Sequence, residues 1–320
     1  MYVYIPPSAQ AGRGTIKAQS GFNANADAEA LYKAMKGFGT DEAAILNLLT
    51  ARSNAQRQQI KAAYKTLHGK DLMQELKSEL TGKFETLIVA LLETPTMYDV
   101  KCLKHAIKGA GTSEKVLIHI LASRTCNEIQ EINKAYKQGM RIWGFYFCMG
   151  YRLYFNMCVC VCVCMCVCVC ARACMQTLFE AGEKKFGTDE EQFVTILGNR
   201  SAEHLRRVFA EYMKLSGFQI EESIKRETSG HLQEVLLAVV TCARSVPTYL
   251  ADCLHKALKG AGTDDKTLIE IMVSRSEIDM LDIRAEFRRM FATSLYKMIK
   301  GDTSGDYSKT LLVLCGGDDA

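Results

Sequence analysis

Lys36-Gly37-Phe38-Gly39-Thr40 returns three more times in this chain, as Lys108-Gly109-Ala110-Gly111-Thr112, Lys184-Lys185-Phe186-Gly187-Thr188 and Lys259-Gly260-Ala261-Gly262-Thr263. Counting 13 residues on from the Gly before each Thr gives Arg52, Arg124, Arg200 and Arg275. Counting 25 gives Tyr64, Tyr136, Tyr212 and Phe287. Counting 40 gives Glu79, Tyr151, Glu227 and Asp302: acids in three copies and an exception in the second. The near-constant spacing between phrases, from Lys36 to Lys108, Lys184 and Lys259, divides the 320 residues into four supersecondary units. They are placed at residues 21–94, 95–174, 175–247 and 248–320, behind a tail of residues 1–20.

Within a unit the apolar residues recur at helical spacing. Ala30, Leu31, Ala34 and Met35 form one stripe, and Ile45, Leu46, Leu48 and Leu49 the next. Leu72, Leu76 and Leu80 recur every fourth residue, and Leu87, Ile88, Leu91 and Leu92 form a further stripe. The region 55–67 supplies one more helix, with Tyr64 turned inward. The expectation is an all-α chain with five short helices per unit. Four prolines in 320 residues agree with it, because proline interrupts helices.

Bulk composition excludes more than it identifies. A net charge of +4 does not point to a nucleic-acid partner. The stretch from Met1 to Thr15 lacks a long apolar run behind a basic patch, so no secretory signal is read there. Of 14 cysteines, eight crowd into Cys158–Cys174 and the rest lie scattered through helical patterns, which suits a reducing cytosol better than a disulfide framework. The six histidines form no repeated cluster and no nucleophile–base pattern recurs, so the chain is read as no enzyme.

From Gly139 to Cys174 the repeat pattern stops, and strict Cys–Val alternation runs from Cys158 to Cys170 with one Met. Three readings compete. Leu153 to Cys170 runs without a charge for the length of a membrane span. Cys-x-Cys places thiolates along one side of an extended chain, as a metal–thiolate cluster requires. Alternating Val and Cys is also what a GTGTGT dinucleotide repeat encodes, so the segment reads as translated non-coding sequence that disrupts the second unit.

The repeated phrase itself has a chemistry. Gly37 and Gly39 permit backbone angles that other residues resist, and Thr40 can cap the next helix. In the third unit Thr188 with Glu191 makes a full capping box. One reading is a tight helix–helix turn and nothing more. The other rests on the distant acid. A helix ending at Met35 leaves carbonyls unpaired at the negative end of its dipole. A glycine turn lets those oxygens converge, and a carboxylate from the loop before Leu80-Thr81-Gly82 closes the shell. Oxygen-only donors with one acid match Ca²⁺, with an affinity of roughly 10⁻⁴–10⁻³ M for so few charges. Without Cys or His in these loops, zinc is a poor fit. Lys36, Lys184 and Lys259 could meet anionic headgroups, and Phe38 and Phe186 could dip into the interfacial layer. The rival readings are solvated charges and rings packed on the adjoining helix. The four arginines are read as structural, capping carbonyls or forming buried ion pairs.

Runs such as Lys33-Ala34-Met35-Lys36-Gly37 and Val273-Ser274-Arg275-Ser276-Glu277-Ile278-Asp279, with the matching offsets, resemble the annexin family from Gly14 to Gln138 and from Met175 to Asp319. The resemblance implies a curved all-α disc of four five-helix repeats with the second disrupted. It also implies calcium-dependent, reversible binding to phosphatidylserine-rich membranes and, often, trimer lattices on the bilayer. Such a protein would be cytoplasmic and peripheral on membranes. Carried over, the Ca²⁺ ligands would be the Met35, Gly37 and Gly39 carbonyls with Glu79. The third site would use Gly182, Lys185 and Gly187 with Glu227, and the fourth Leu258, Gly260 and Gly262 with Asp302. In the second unit Ile107, Gly109 and Gly111 keep the loop, but Tyr151 replaces the acid, so that site should be crippled. Two functions from other classes remain as alternatives: an α-helical repeat scaffold for protein partners, and a low-grade ion channel.

Overall fold

The computed structural model describes residues 12–37, 39–108, 114–139, 171–182, 190–198, 200–260 and 262–318. The described residues carry helices and no strand. The first repeat is α1 (Ala24–Met35), α2 (Glu42–Thr50), α3 (Asn54–His68), α4 (Leu72–Glu79) and α5 (Gly82–Leu91). The second begins with α6 (Pro95–Lys108), α7 (Glu114–Ser123) and α8 (Cys126–Gly139). The third is α9 (Ala171–Gly182), α10 (Glu190–Gly198), α11 (Ala202–Ser216), α12 (Ile220–Glu227) and α13 (Gly230–Arg244). The fourth is α14 (Val246–Leu258), α15 (Asp265–Arg275), α16 (Met280–Phe291), α17 (Leu295–Asp302) and α18 (Gly305–Cys315). Five helices per repeat therefore hold for the first, third and fourth. The Cys–Val stretch, with its span, cluster and non-coding readings, lies outside the described residues. No helix among the described residues is long and apolar enough to cross a membrane.

Short polar side chains set the helix starts. Asn23 accepts from the Asn25 and Ala26 amides at the head of α1, and Asp71 from Gln74 at the head of α4. Ser53 and Gln56 form a reciprocal capping box on α3, satisfying two orphan amides at once. Helix α3 then stops at Gly69, whose φ of 68° is left-handed and open to glycine at little cost. Its inward stripe buries Ile60 and Tyr64 completely. The aromatic that follows each loop at a constant offset is buried in every repeat: Tyr64, Tyr212 and Phe287 are 0% exposed and Tyr136 is 9%. The inward turn expected of Tyr64 is what the packing produces.

The chain forms two compact units. One comprises Met1–Tyr98 with Leu250–Ala320, which unites the first and fourth repeats. Within it, Glu277 accepts from the Asn54 amide at 2.6 Å and faces the Arg57 guanidinium at 3.5 Å. Burial lowers the Arg57 pKa to about 10, and the Glu277 carboxylate works against that shift. Residues 13–16, placed in the tail by sequence, run along the fourth repeat. Leu281 donates to the Arg13 carbonyl and Ile16 to that of Ser276, both at 3.0 Å, and the Thr15 hydroxyl donates to the Leu314 carbonyl at 2.5 Å. Gly14 is obligatory there, since a Cβ would lie 2.3 Å from the Glu277 main chain.

The other unit is Asp99–Tyr249. Helix α7 packs on α13 in it, and the His119 and Tyr249 rings meet edge-on at 5.9 Å. Its third-repeat core gathers Leu178, Phe193, Val208, Tyr212, Ile224 and Leu236. Val100, Ile120, Ile129 and Ile132 form a second cluster from α6, α7 and α8.

Candidate cation sites at the helix corners

Two corners are described nearly in full, and they share one register. In the first repeat the Asp41 amide donates back to the Ala34 carbonyl at 2.9 Å; in the fourth, Asp264 does the same to Ala257 at 2.9 Å. Each bond closes the loop without using the carbonyls of Met35, Gly37 and Gly39, or of Leu258, Gly260 and Gly262. Gly37 and Gly39 have φ of 131° and 93°, and Gly260 and Gly262 have 152° and 117°. Side chains with a Cβ resist those angles, which accounts for Gly-x-Gly. Met35 and Leu258 are buried, whereas the four glycines are exposed.

The acids arrive at these corners from far along the chain. Each ends a helix rather than lying in the following loop: Glu79 closes α4, Glu227 closes α12 and Asp302 closes α17. This corrects the loop placement read from the sequence, because Leu80 still bonds Leu76, Thr228 bonds Ile224 and Thr303 bonds Ile299 in helical fashion. In the first corner the Thr40 hydroxyl donates to Oε2 of Glu79 at 2.8 Å. In the fourth, the Thr263 hydroxyl reaches the Asp302 carbonyl at 3.4 Å. In the third, a Cβ on Gly182 would stand 3.7 Å from Cγ of Glu227, so that acid lies against the end of α9.

The placement is electrostatically one-sided. A helix C-terminus carries roughly half a negative charge, which disfavours a carboxylate beside it. Glu79 occupies the C-terminus of α4, and Thr40 ties its carboxylate to the turn beyond the C-terminus of α1; Asp302 occupies the C-terminus of α17, and there the Thr263 hydroxyl beyond α14 meets its main-chain carbonyl. Negative helix ends and an acid beside them at the first corner make an electrostatic environment that a cation would neutralise. Among the described residues no group of three His, Cys, Asp or Glu is placed to hold a metal. A cation at these corners would thus rest mainly on main-chain oxygens, the donor set of a hard ion.

Gly182 is under a further constraint: its missing Cβ would approach the Phe193 ring to 3.3 Å. Gly182→Ala should therefore displace the ring or Glu227, with an overpacking loss of about 1–3 kcal/mol in urea unfolding. A variant as stable as the parent would show that the neighbours yield freely.

Several expectations need revision or fall elsewhere. Thr40 does not cap the second helix. Asp41 does, accepting from the Ala44 amide at 2.9 Å, and Asp264 does so from Thr267 at 3.2 Å. The hydroxyl is committed to Glu79, and the carboxylate one residue on is the stronger acceptor. The Thr188 box, Lys184, Lys185, Phe186, Gly187, Phe38, Gly109, Gly111 and Tyr151 lie outside the described residues. Ile107 is half-buried near the end of α6 against the second-repeat core. Lys36 and Lys259 are exposed; the Lys36 ammonium lies 5.3 Å over the Tyr32 ring.

Three of the four repeat arginines are placed in ion pairs. Arg52 meets Asp27 at 2.5 and 2.9 Å, Arg124 meets Asp99 at 2.8 and 2.9 Å, and Arg275 meets Asp279 at 2.8 and 2.5 Å. The sequence reading missed their partners. Asp27 and Asp99 each stand 25 residues before their arginine, an offset the repeats could have revealed. At that position the third repeat has Met175 and the fourth Leu250, and Arg275 turns to an acid four residues on.

In the first unit a cleft of about 500 Å³ separates the two acids' neighbourhoods, lined by Glu79, Thr81, Lys83, Asp302, Ser304 and Tyr307 among others. Lys83 crosses it to Asp265 at 2.6 Å, and the Tyr307 hydroxyl donates to the same carboxylate at 2.9 Å. Burial, then that carboxylate, drives the Tyr307 pKa far up. His255, in the last turn of α14, is shifted the other way, by burial first and then by Lys259.

A family model described as Annexin matches residues 26–91, 98–141, 175–239 and 249–314. The second match stops and the third begins on either side of the Cys–Val stretch. Annexin A5 of Rattus norvegicus is 59% identical over 315 residues, spanning 96% of this chain and 99% of that protein. The crystal structure of chicken annexin V in complex with Zn²⁺ is similar with a TM-score of 0.86 at 58% identity, over 96% of this chain and 99% of that one. Calcium-bound annexin (Sm)1 gives a TM-score of 0.82 at 32% identity, over 96% and 94%.

Proposed function

The chain belongs to the annexin family, and from that premise we propose that it is a calcium-dependent phospholipid-binding protein that docks reversibly on anionic membranes. The observation that carries this reading is the Glu79 carboxylate held at the glycine turn after α1, with the fourth corner repeating the turn's backbone geometry. Met35, Gly37, Gly39 and Glu79 would hold one ion, and Leu258, Gly260, Gly262 and Asp302 another. Gly182 and Glu227 would contribute to a third, with Lys185 and Gly187. Bound Ca²⁺ supplies coordination positions that a lipid phosphate or carboxylate oxygen can fill.

Charge supports the same surface chemistry. Lys36 and Lys259 project from the corners into solvent, and each basic group near an anionic leaflet adds about 1 kcal/mol of attraction.

Sedimentation with phosphatidylserine vesicles tests the proposal. Binding should appear with millimolar-range Ca²⁺, roughly the affinity of sparsely charged sites, and vanish in excess chelator. Binding that survives the chelator would overturn the bridge and favour a calcium-independent surface.

A further inference from the structure

We propose that Thr40 is a positioning residue for the first corner: its hydroxyl holds the Glu79 carboxylate over the glycine turn. The inference rests on the reading of that corner as a cation site. Three observations carry it. The Thr40 hydroxyl donates to Oε2 of Glu79 at 2.8 Å, across 39 residues of sequence. Thr40 is released from helix capping, because Asp41 fills that role for α2. And the fourth corner lacks the same contact, its Thr263 hydroxyl reaching the main-chain oxygen of Asp302 at a long 3.4 Å.

The difference follows from side-chain length. Glu79 is exposed and has one more rotatable bond than Asp302, so ordering it over the corner costs more conformational entropy. A hydroxyl that donates to one carboxylate oxygen reduces that freedom before any ion arrives. It does not exhaust the carboxylate, which has about four lone-pair sites. Asp302 is shorter and leaves the helix end with less freedom, so its corner does not need the tether. The first and fourth corners would therefore reach similar chemistry by different means, one pre-aimed through a hydroxyl and one through a shorter acid.

The test isolates the first corner in the full chain with Glu227→Gln and Asp302→Asn. The Ca²⁺ dissociation constant is read by displacement of directly excited Tb³⁺. Thr40→Val keeps the shape and removes the donor; it should weaken Ca²⁺ roughly five- to tenfold, part of the conformational entropy of one ordered Glu side chain. Thr40→Ser should restore the parent value, and the thermal midpoint should stay unchanged in both, since the cap is Asp41. Thr263→Val, with the fourth corner isolated by Glu79→Gln and Glu227→Gln, should shift its constant by less than about twofold. An unaltered constant in Thr40→Val, a loss that tracks a lowered thermal midpoint, or failure of Ser to rescue would each overturn the proposal. Glu79→Gln in the first background separates the two levels of inference. If it leaves the titration intact, the corner is not a cation site; if it abolishes it while Thr40→Val does nothing, only the positioning role falls.

Discussion

Replacing Glu79 and Glu227 by Gln and Asp302 by Asn together is expected to abolish calcium-dependent sedimentation with phosphatidylserine vesicles. In the function proposed above, each acid is the one carboxylate of its site and the other ligands are neutral carbonyls. With sites that start near roughly 10⁻⁴–10⁻³ M, every further 1.4 kcal/mol lost weakens binding about tenfold. The sites thus leave the usable range quickly. The fold should not suffer, because Glu79 and Asp302 are exposed and Glu227 is half-buried. In calcium-free buffer the triple variant should be at least as stable as the parent, since three charges leave unfavourable helix ends. Altering Tyr151 should change little. Full vesicle binding by the triple variant would leave the corners as turns and nothing more.

Arg275→Leu should produce the largest loss of stability. Its partner Asp279 has a side chain only 2% exposed, against 8% for Arg275. Removing the cation strands a buried carboxylate, which costs about 3–5 kcal/mol. Urea unfolding of the parent and variant would measure it. Arg275→Leu with Asp279→Leu should recover much of that loss, because a buried pair and a packed apolar replacement are often nearly equal in energy. Lys309→Ala offers the contrast: its ion pair with Asp306 is 66% exposed on the lysine side and should be worth less than about 1 kcal/mol. A single Arg275 variant that unfolds like the parent would mean water reaches Asp279.

Much of the architecture was legible because repetition multiplies a weak signal. A single Gly-x-Gly-Thr is an ordinary turn, but the buried aromatics Tyr64, Tyr212 and Phe287 and the ion-paired arginines Arg52, Arg124 and Arg275 sit at constant offsets from it. What misled the reading was local competition. Thr40 and Asp41 are both good caps, and nothing in their order reveals that Glu79 engages the hydroxyl and leaves the amides to the carboxylate. Likewise an arginine at a constant offset does not name its partner: Asp27 and Asp99 precede theirs by 25 residues, whereas Asp279 follows by four.

By itself the sequence determined the four-unit plan, the helical class and the buried aromatic at each third helix, because these depend on residue type and periodic spacing along the chain. Only the tertiary structure decided that each acid closes a helix, that Thr40 reaches Glu79 while Thr263 reaches a carbonyl, and that residues 13–16 run along the fourth repeat. Those outcomes are choices among several chemically adequate partners. They are made by which backbones the packed core brings within about 3 Å of one another, a distance that spacing along the chain does not encode.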